Sequence, residues 1–167
     1  MNKLILCGLI VLLGTTSCRH KPKEVAPIAR AEAAQNASEA EFAVQIRDYA
    51  RAEQTLVKAV ELDPTVPRYW KELGSARKHL GDVDGARKAY EKAFDTLRDE
   101  HNANPASAGP VLGEVEACVL LGKKDQAREI LQKAAHDYPN DEQVKAIIAN
   151  NVLDKIIADP AIQSSAL

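Results

Sequence analysis

The sequence has few aromatic residues, with two Phe, one Trp and four Tyr among 167 residues. Alanine and the aliphatic residues must therefore supply most of any hydrophobic core. Charge is nearly balanced as well, at 22 cationic and 24 acidic side chains and a net charge of −2. Nucleic-acid binding needs a clustered basic face. The balance therefore indicates that nucleic acid is not a partner.

Motifs that carry catalysis are also missing. The sequence has no HExxH zinc motif, no Gly-rich phosphate loop and no Gly-x-Ser-x-Gly nucleophile elbow. Its four histidines are far apart and match no metal-ligand spacing, at His20, His79, His101 and His136. We therefore expect no enzyme, no bound metal and no cofactor.

An apolar run at residues 4–13 follows Lys3 and precedes the small residues 14–17. About ten apolar residues are too few to span a bilayer, which needs around 20. The pattern is that of a signal peptide covering residues 1–17. Its end, Thr15-Thr16-Ser17-Cys18, resembles the lipobox of bacterial lipoproteins. The alternative is an ordinary secretory signal, because that family usually has Leu where Thr15 stands.

The lipobox resemblance implies an exported chain, cleaved before Cys18 and anchored there by diacylglycerol and palmitate. Arg19, rather than Asp, follows the cysteine. By resemblance to enteric lipoproteins, this favours the outer membrane and an orientation toward the periplasm. We expect residues 18–29 to form the lipidated cysteine and a flexible tether, since Pro22 and Pro27 interrupt this basic stretch.

Cysteine use fits an exported chain without disulfides. Cys7 leaves with the signal and Cys18 would be acylated, so Cys118 is the one free thiol. An intramolecular disulfide is then excluded. Cys118 lies within the apolar stretch 115–121, so we expect a buried thiol that behaves as a small hydrophobe.

The strongest internal signal is a repeat. Residues 51–60 match residues 85–94 at a shift of 34, and residues 126–135 match again 41 positions further on. Each segment has a small residue, then a large apolar residue four positions later, then another Ala. Spacings of four and three place them on one helix face, where small residues allow close helix packing. They are Ala52, Leu56 and Ala59; Ala86, Tyr90 and Ala93; and Ala127, Leu131 and Ala134.

These residues, with Trp70, Leu73 and Gly74, resemble the signature of the tetratricopeptide repeat (TPR). Pro64 and Pro139 resemble its repeat-closing proline. The resemblance implies an all-α fold of about three antiparallel helix pairs in a right-handed superhelix. We expect repeats over about 33–66, 67–104 and 108–139, within a domain of residues 30–139.

Beyond the repeats, an apolar stripe at helical spacing predicts a capping helix over residues 140–158, opened by a capping box at Asn140 and Gln143. The stripe contains Val144, Ile147, Ile148, Val152, Ile156 and Ile157. Residues 159–167 are expected to form a tail. The alternative use of the stripe is a homodimer contact.

In TPR domains the first helix of each pair lines a concave groove. Carried over by position, the resemblance implies partner-binding candidates Arg68, Lys71, Ser75, Lys78, His79, Leu112 and Glu116. The first repeat would contribute Ala37, Glu41, Val44 and Gln45, and the third would add Val119 and Leu120. The basic middle helix favours an acidic peptide. Alternatively, Lys71 or Lys78 pairs with Glu41 or Glu116 within the groove, or faces water.

We therefore expect a membrane-anchored scaffold or adaptor that binds a peptide or helix of a partner protein in this groove. Two alternatives stay open. One is a structural lipoprotein that self-assembles through its C-terminal stripe, and the other is a pilotin-like escort for an envelope complex.

Overall fold

The computed structural model describes residues 25–167, and these residues form helices and connecting loops without a strand. Three helix pairs come first: α1 (Pro27–Gln45) with α2 (Tyr49–Leu62), α3 (Pro67–His79) with α4 (Val83–Ala103), and α5 (Gly109–Leu120) with α6 (Lys124–Asp137). Three short helices follow: α7 (Glu142–Ala149), α8 (Val152–Ala158) and α9 (Pro160–Ser165). The predicted all-α fold with three helix pairs is confirmed. The leader and Cys18 lie outside the described residues.

One turn geometry joins the two helices of every pair. Its central residue has a left-handed backbone, with φ of 61° at Arg47, 84° at Gly81 and 72° at Gly122. The next amide then donates to the carbonyl five positions back at 2.8–2.9 Å, from Asp48 to Ala43, from Asp82 to Arg77 and from Lys123 to Cys118. These bonds satisfy carbonyls that would otherwise be unpaired at the helix end.

The two earlier turns also cap the helix that follows. Asp48 accepts a hydrogen bond from the Arg51 amide at 3.1 Å, and Asp82 accepts one from the Gly85 amide at 2.9 Å. Lys123 occupies the same position in the third turn and has no side-chain cap. The third pair therefore lacks a stabilising contact that the first two possess.

The small residues of the repeat pattern lie inside the helix pairs. Each is at most 1% exposed: Ala52, Ala59, Ala86, Ala93, Ala127 and Ala134. Of the large residues, Leu73 and Tyr90 are also fully buried, whereas Leu131 is 8% exposed. Trp70 is half-buried, and its indole nitrogen donates to the Pro64 carbonyl at 2.9 Å. The tryptophan therefore ties the start of the second pair to the end of the first.

Gly74 lies tightly against Tyr90 in the second pair. A β-carbon placed at this position would lie 2.5 Å from Cδ1 and 2.8 Å from Cζ of Tyr90. The ring can lie there only because glycine has no side chain, so the two residues form one complementary packing unit.

The predicted boundary between the tether and the first helix was wrong. The tether was expected to reach residue 29, but α1 begins at Pro27 and Val25 is already buried. Proline fits the first helical position because its missing amide hydrogen would have no partner there.

The single capping helix over 140–158 is divided into α7 and α8. Asn151 between them has a φ of 51°, a left-handed conformation that asparagine tolerates better than most residues. The cap of α7 is Asp141 rather than Asn140, and it accepts from the Gln143 and Val144 amides at 3.0 and 2.9 Å. The expected tail is also helical, since it forms α9.

Candidate peptide-binding surface

The first helices of the three pairs, α1, α3 and α5, lie side by side and form one surface, here called the first-helix surface. Two ion pairs connect them. Arg68 of α3 pairs with Glu41 of α1, and Lys71 of α3 pairs with Glu116 of α5. These contacts neutralise the two central cations of the surface. One sequence interpretation expected the pair of Lys71 with Glu116, whereas the pair of Arg68 with Glu41 was not expected. The surface is therefore less basic than the sequence of α3 alone indicates.

Glu72 lies beside this network, and one of its oxygens has no partner. Arg68 Nη1 donates to Glu72 Oε1 at 2.8 Å. The second oxygen, Oε2, is buried and accepts no hydrogen bond from the described residues. Burial raises the pKa of the Glu72 carboxyl, and nearby Glu41 raises it further, while Arg68 and Lys71 oppose both effects. An unsatisfied buried acceptor is costly, so this oxygen destabilises the charged form of Glu72 in the unbound chain.

A cavity of about 330 Å³ opens between α1 and α3 at this place. Its lining comprises Ala40, Glu41, Val44, Gln45, Leu56 and Glu72. Ala40 and Leu56 are buried apolar residues of this lining, and Glu41 and Glu72 add two carboxylates to it. The cavity can hold one apolar side chain of a ligand next to a hydrogen-bond donor.

The other half of the first-helix surface, between α3 and α5, is occupied by the chain itself. Helix α9 packs against both helices there. The Tyr90 hydroxyl donates to the Ser165 carbonyl at 2.7 Å, and the Ser75 and Ser165 hydroxyls share a hydrogen bond of 3.0 Å. The Leu167 amide donates to the Leu120 carbonyl at 2.9 Å. Ser75 is therefore on the expected surface but already bound.

Three other predicted partner-binding residues take no part in these contacts of the first-helix surface. His79 is exposed and stacks on Tyr49 with ring centroids 4.2 Å apart, at the edge between α2 and α3. Leu112 packs into the core around Cys118. Lys78 is half-buried and forms no ion pair within residues 25–167. The surface therefore uses Arg68, Lys71, Ser75 and Glu116, and it leaves His79 and Leu112 out.

The flanking repeats also required correction. Ala37 and Val119, expected in the groove, are buried at 0% and 2% exposure. Leu120 is 6% exposed and lies beneath Leu167 in a small core shared with Tyr90. Glu41, Val44 and Gln45 do line the cavity. Position within a helix pair thus predicted the polar groove residues better than the apolar ones, because most of the apolar ones are buried in the core.

Docking of α9 had no counterpart in the sequence interpretation. A signal for the helix itself was present, because Asp159 precedes Pro160. Asp159 caps α9 by accepting from the Ala161 amide at 2.7 Å, and Pro160 occupies the first helical position. The place where the helix docks has no such local signal.

The C-terminal stripe is used mostly within the chain. Val144 and Leu153 are 1% and 6% exposed, and Ile147, Ile156 and Ile157 are partly buried against the core of the third pair. Ile148 is 47% exposed. It borders a second cavity of about 320 Å³ between α6, α7 and α8. The stripe thus covers the end of the repeat array, as a cap would.

The described part of the chain has few other groups that could react or bind a metal ion. Cys118 is fully buried, and burial raises the pKa of its thiol to about 11. Within residues 25–167, no three histidine, cysteine or acidic side chains come close enough to share a metal ion. None of the helices in that range is both long and apolar enough to cross a bilayer.

Helix pairs that stack on one another and align their first helices along one surface are the architecture of a helical repeat protein. The family model for the tetratricopeptide repeat matches residues 79–150. The TPR repeat-containing protein PA0015 of Pseudomonas aeruginosa is 40% identical over 81 residues, which are 48% of this chain and 70% of that protein. The chain therefore belongs to the tetratricopeptide repeat family.

Two longer proteins are similar to part of this chain. The heat shock protein sti1 homolog of Schizosaccharomyces pombe is 39% identical over 71 residues, covering 42% of this chain and 11% of that protein. Protein FlbA of Caulobacter vibrioides is 36% identical over 73 residues, covering 44% of this chain and 11% of that protein. TPR repeats generally mediate protein–protein interaction, and PA0015 is named for this repeat.

Proposed function

We propose that this chain is a lipid-anchored scaffold of the bacterial envelope that holds a segment of a partner protein on its first-helix surface. The observation that carries the proposal is the open cavity of about 330 Å³ between α1 and α3, on the side where the first helices of the pairs meet. A catalytic role has no support from the side chains found there, which offer contact and charge.

The ligand expected from the sequence was acidic, and the ion pairs favour a different one. Arg68 and Lys71 already have carboxylate partners, so a new anion would have to compete with Glu41 and Glu116. The Glu41 carboxylate lines the cavity and is half-exposed. A partner segment with an apolar anchor next to a lysine, an arginine or an amide would fill the cavity and donate to this carboxylate.

Site-specific photocrosslinking in the native envelope tests the surface. A crosslinking residue replaces Val44, which lines the cavity and is 43% exposed. The matched control replaces Glu91, an exposed residue of α4, a second helix of a pair. We expect a discrete adduct from Val44 and none from Glu91. Equal adducts from both positions, or none from Val44, would refute the assignment of this surface.

The anchor is tested separately. Cys18 and its leader support a lipoprotein through the lipobox resemblance. Cys18→Ser should abolish incorporation of labelled palmitate and release the chain from the membrane fraction. A Cys18→Ser chain that still sediments with membranes would contradict the lipid anchor. Such a scaffold would raise the local concentration of its partner at the membrane without additional contacts.

Self-assembly through the C-terminal stripe is less favoured by the packing. Val144 and Leu153, which would form its centre, are buried within the chain. An interface between copies buries roughly 800 Å² on each partner. The exposed Ile148 alone gives little apolar area for that purpose.

A further inference from the structure

We propose that the surface between α3 and α5 is a binding site for a short helical segment, which residues 159–167 occupy in the free chain. A partner segment of the same chemistry would bind by displacing them. The inference rests on the proposed function and names a second recognition site on the same first-helix surface. Here α9 and the two residues after it are called the tail.

The polar contacts of the tail are those that a bound peptide makes. Tyr90 donates to the Ser165 carbonyl at 2.7 Å, and the Leu120 carbonyl accepts from the Leu167 amide at 2.9 Å. Both contacts involve the main chain of the tail, so they require its backbone shape rather than its side chains. Another segment with that shape can receive the same two bonds.

The side chains of the tail define the chemistry of the segment. Ile162 packs on the core of the third pair, and Leu167 packs on the small core around Tyr90 and Leu120. Ser165 lies between them, with its hydroxyl 3.0 Å from that of Ser75. Ser165 is half-buried and lies beside Ser75 of α3, so a small residue fits there. The site therefore selects an aliphatic residue, a small residue three positions later and a second aliphatic residue after two more.

The tail is held loosely enough to be displaced. Helix α9 has six residues, and none of them is fully buried. A helix of this length is not stable without tertiary contacts. Asp159 joins it to α8 through a single exposed residue with an extended backbone, at φ −68° and ψ 122°. Release of the tail thus requires rotation about one linker and leaves the helix pairs in place.

Release of the tail would uncover apolar side chains, and this favours binding of another segment in its place. Tyr90 is fully buried and Leu120 is 6% exposed, and Leu167 of the tail packs on the small core that contains both. Release would uncover this apolar surface, which is unfavourable. The α3–α5 surface is therefore suited to being occupied at all times, by the tail or by a segment that takes its place.

The test uses a fluorescent peptide with the sequence of residues 159–167, titrated into the full chain in mild detergent. The variant Ile162→Asp with Leu167→Asp weakens the tail by placing charge at its two apolar contacts. If the tail fills the site nine-tenths of the time or more, the peptide should bind this variant at least about tenfold more tightly than the unaltered chain. Fluorescence anisotropy measures the affinity, and circular dichroism verifies that the helices persist.

Two controls identify the site. Tyr90→Phe in the tail-weakened variant removes one donor and keeps the ring, so peptide affinity should fall about fivefold. A peptide with Asp at the positions of Ile162 and Leu167 should not bind. Equal affinity for the unaltered chain and the variant, or no binding to either at millimolar peptide, would overturn the inference. Crosslinks from Val44 would still stand in that case, because Val44 lies in the other half of the surface.

Discussion

Replacing Gly74 by alanine tests the packing on which the whole fold depends. At an exposed helical position, Gly→Ala stabilises by about 1 kcal/mol because alanine has the higher helix propensity. Gly74 is buried inside α3. The added methyl group would lie 2.5 Å from Cδ1 of Tyr90, well inside van der Waals contact. The ring must move, so the sign of the effect should be reversed.

The magnitude follows from the freedom of the ring. Tyr90 is 0% exposed, and its hydroxyl is bonded to the Ser165 carbonyl at 2.7 Å, so it cannot swing into solvent. Overpacking of this kind costs about 1–3 kcal/mol. Subtracting the propensity gain of about 1 kcal/mol leaves a net loss of up to about 2 kcal/mol. Urea denaturation followed by circular dichroism measures it.

A second substitution separates the clash from other effects. Tyr90→Leu removes the ring, so Gly74→Ala in that background should cost less than in the unaltered chain, giving a coupling between the two sites. Gly109→Ala is the matched control, since its nearest neighbour, Ser107 Oγ, lies 3.5 Å from the added carbon. A gain of about 1 kcal/mol from Gly74→Ala would refute the packing argument.

Three further results are expected. Lys123→Asp should stabilise the chain by about 1 kcal/mol in urea denaturation, because it supplies the missing cap of α6; no gain would mean that the third turn cannot use a cap. Burial raises the pKa of the Glu114 carboxyl, so its charge costs stability above that pKa and the cost disappears as the pH falls. Glu114→Gln should therefore raise the melting temperature by a few degrees at pH 7–8 and make little difference near pH 4; a gap that widens in acid would contradict this. Cys118 should react with iodoacetamide at pH 8 only upon unfolding, because it is fully buried with its pKa raised to about 11; rapid labelling of its peptide without urea, measured by mass spectrometry, would show an open core.

Local sequence signals predicted the helix pairs well. Residues that recur at a shift of 34 perform the same task in the first two pairs, from the buried alanines to the capping Asp48 and Asp82. Such features depend on neighbours within one or two turns, where spacing alone decides which side chains meet. The fold was therefore accessible without coordinates.

The charges of the surface were harder to predict. The acid that pairs with Lys71 is Glu116, 45 positions away, and the acid that pairs with Arg68 across helices is Glu41, 27 positions away. The sequence shows that these residues are charged but not which of them face each other. A helix whose cations are free and a helix whose cations are paired with distant acids therefore have the same sequence pattern. Only the three-dimensional structure distinguishes the two.

The prediction for the C-terminal region was wrong for a related reason. A continuous apolar stripe predicts one helix, and the break depends on Asn151 alone, which adopts a left-handed backbone. Docking of the tail depends on Tyr90 and Leu120, residues that lie 75 and 47 positions before their partners. Contacts of this range come from the stacking of the pairs and have no periodic signal.

One structural position explains why the two halves of the surface differ. The residue 16 positions before the large residue differs between the pairs: it is Ala40 for Leu56, Gly74 for Tyr90 and Val115 for Leu131. Gly74 lies against Tyr90, and the members of each other pair share one core. In the first pair the large residue is Leu56, which has no polar group. The cavity that it lines is therefore apolar at this position and open. In the second pair glycine makes room for a ring whose hydroxyl reaches the surface and binds the tail. The Tyr90 hydroxyl thereby binds the chain's own C-terminal segment, so the same repeat yields one half of the surface with an open cavity and one half that is covered.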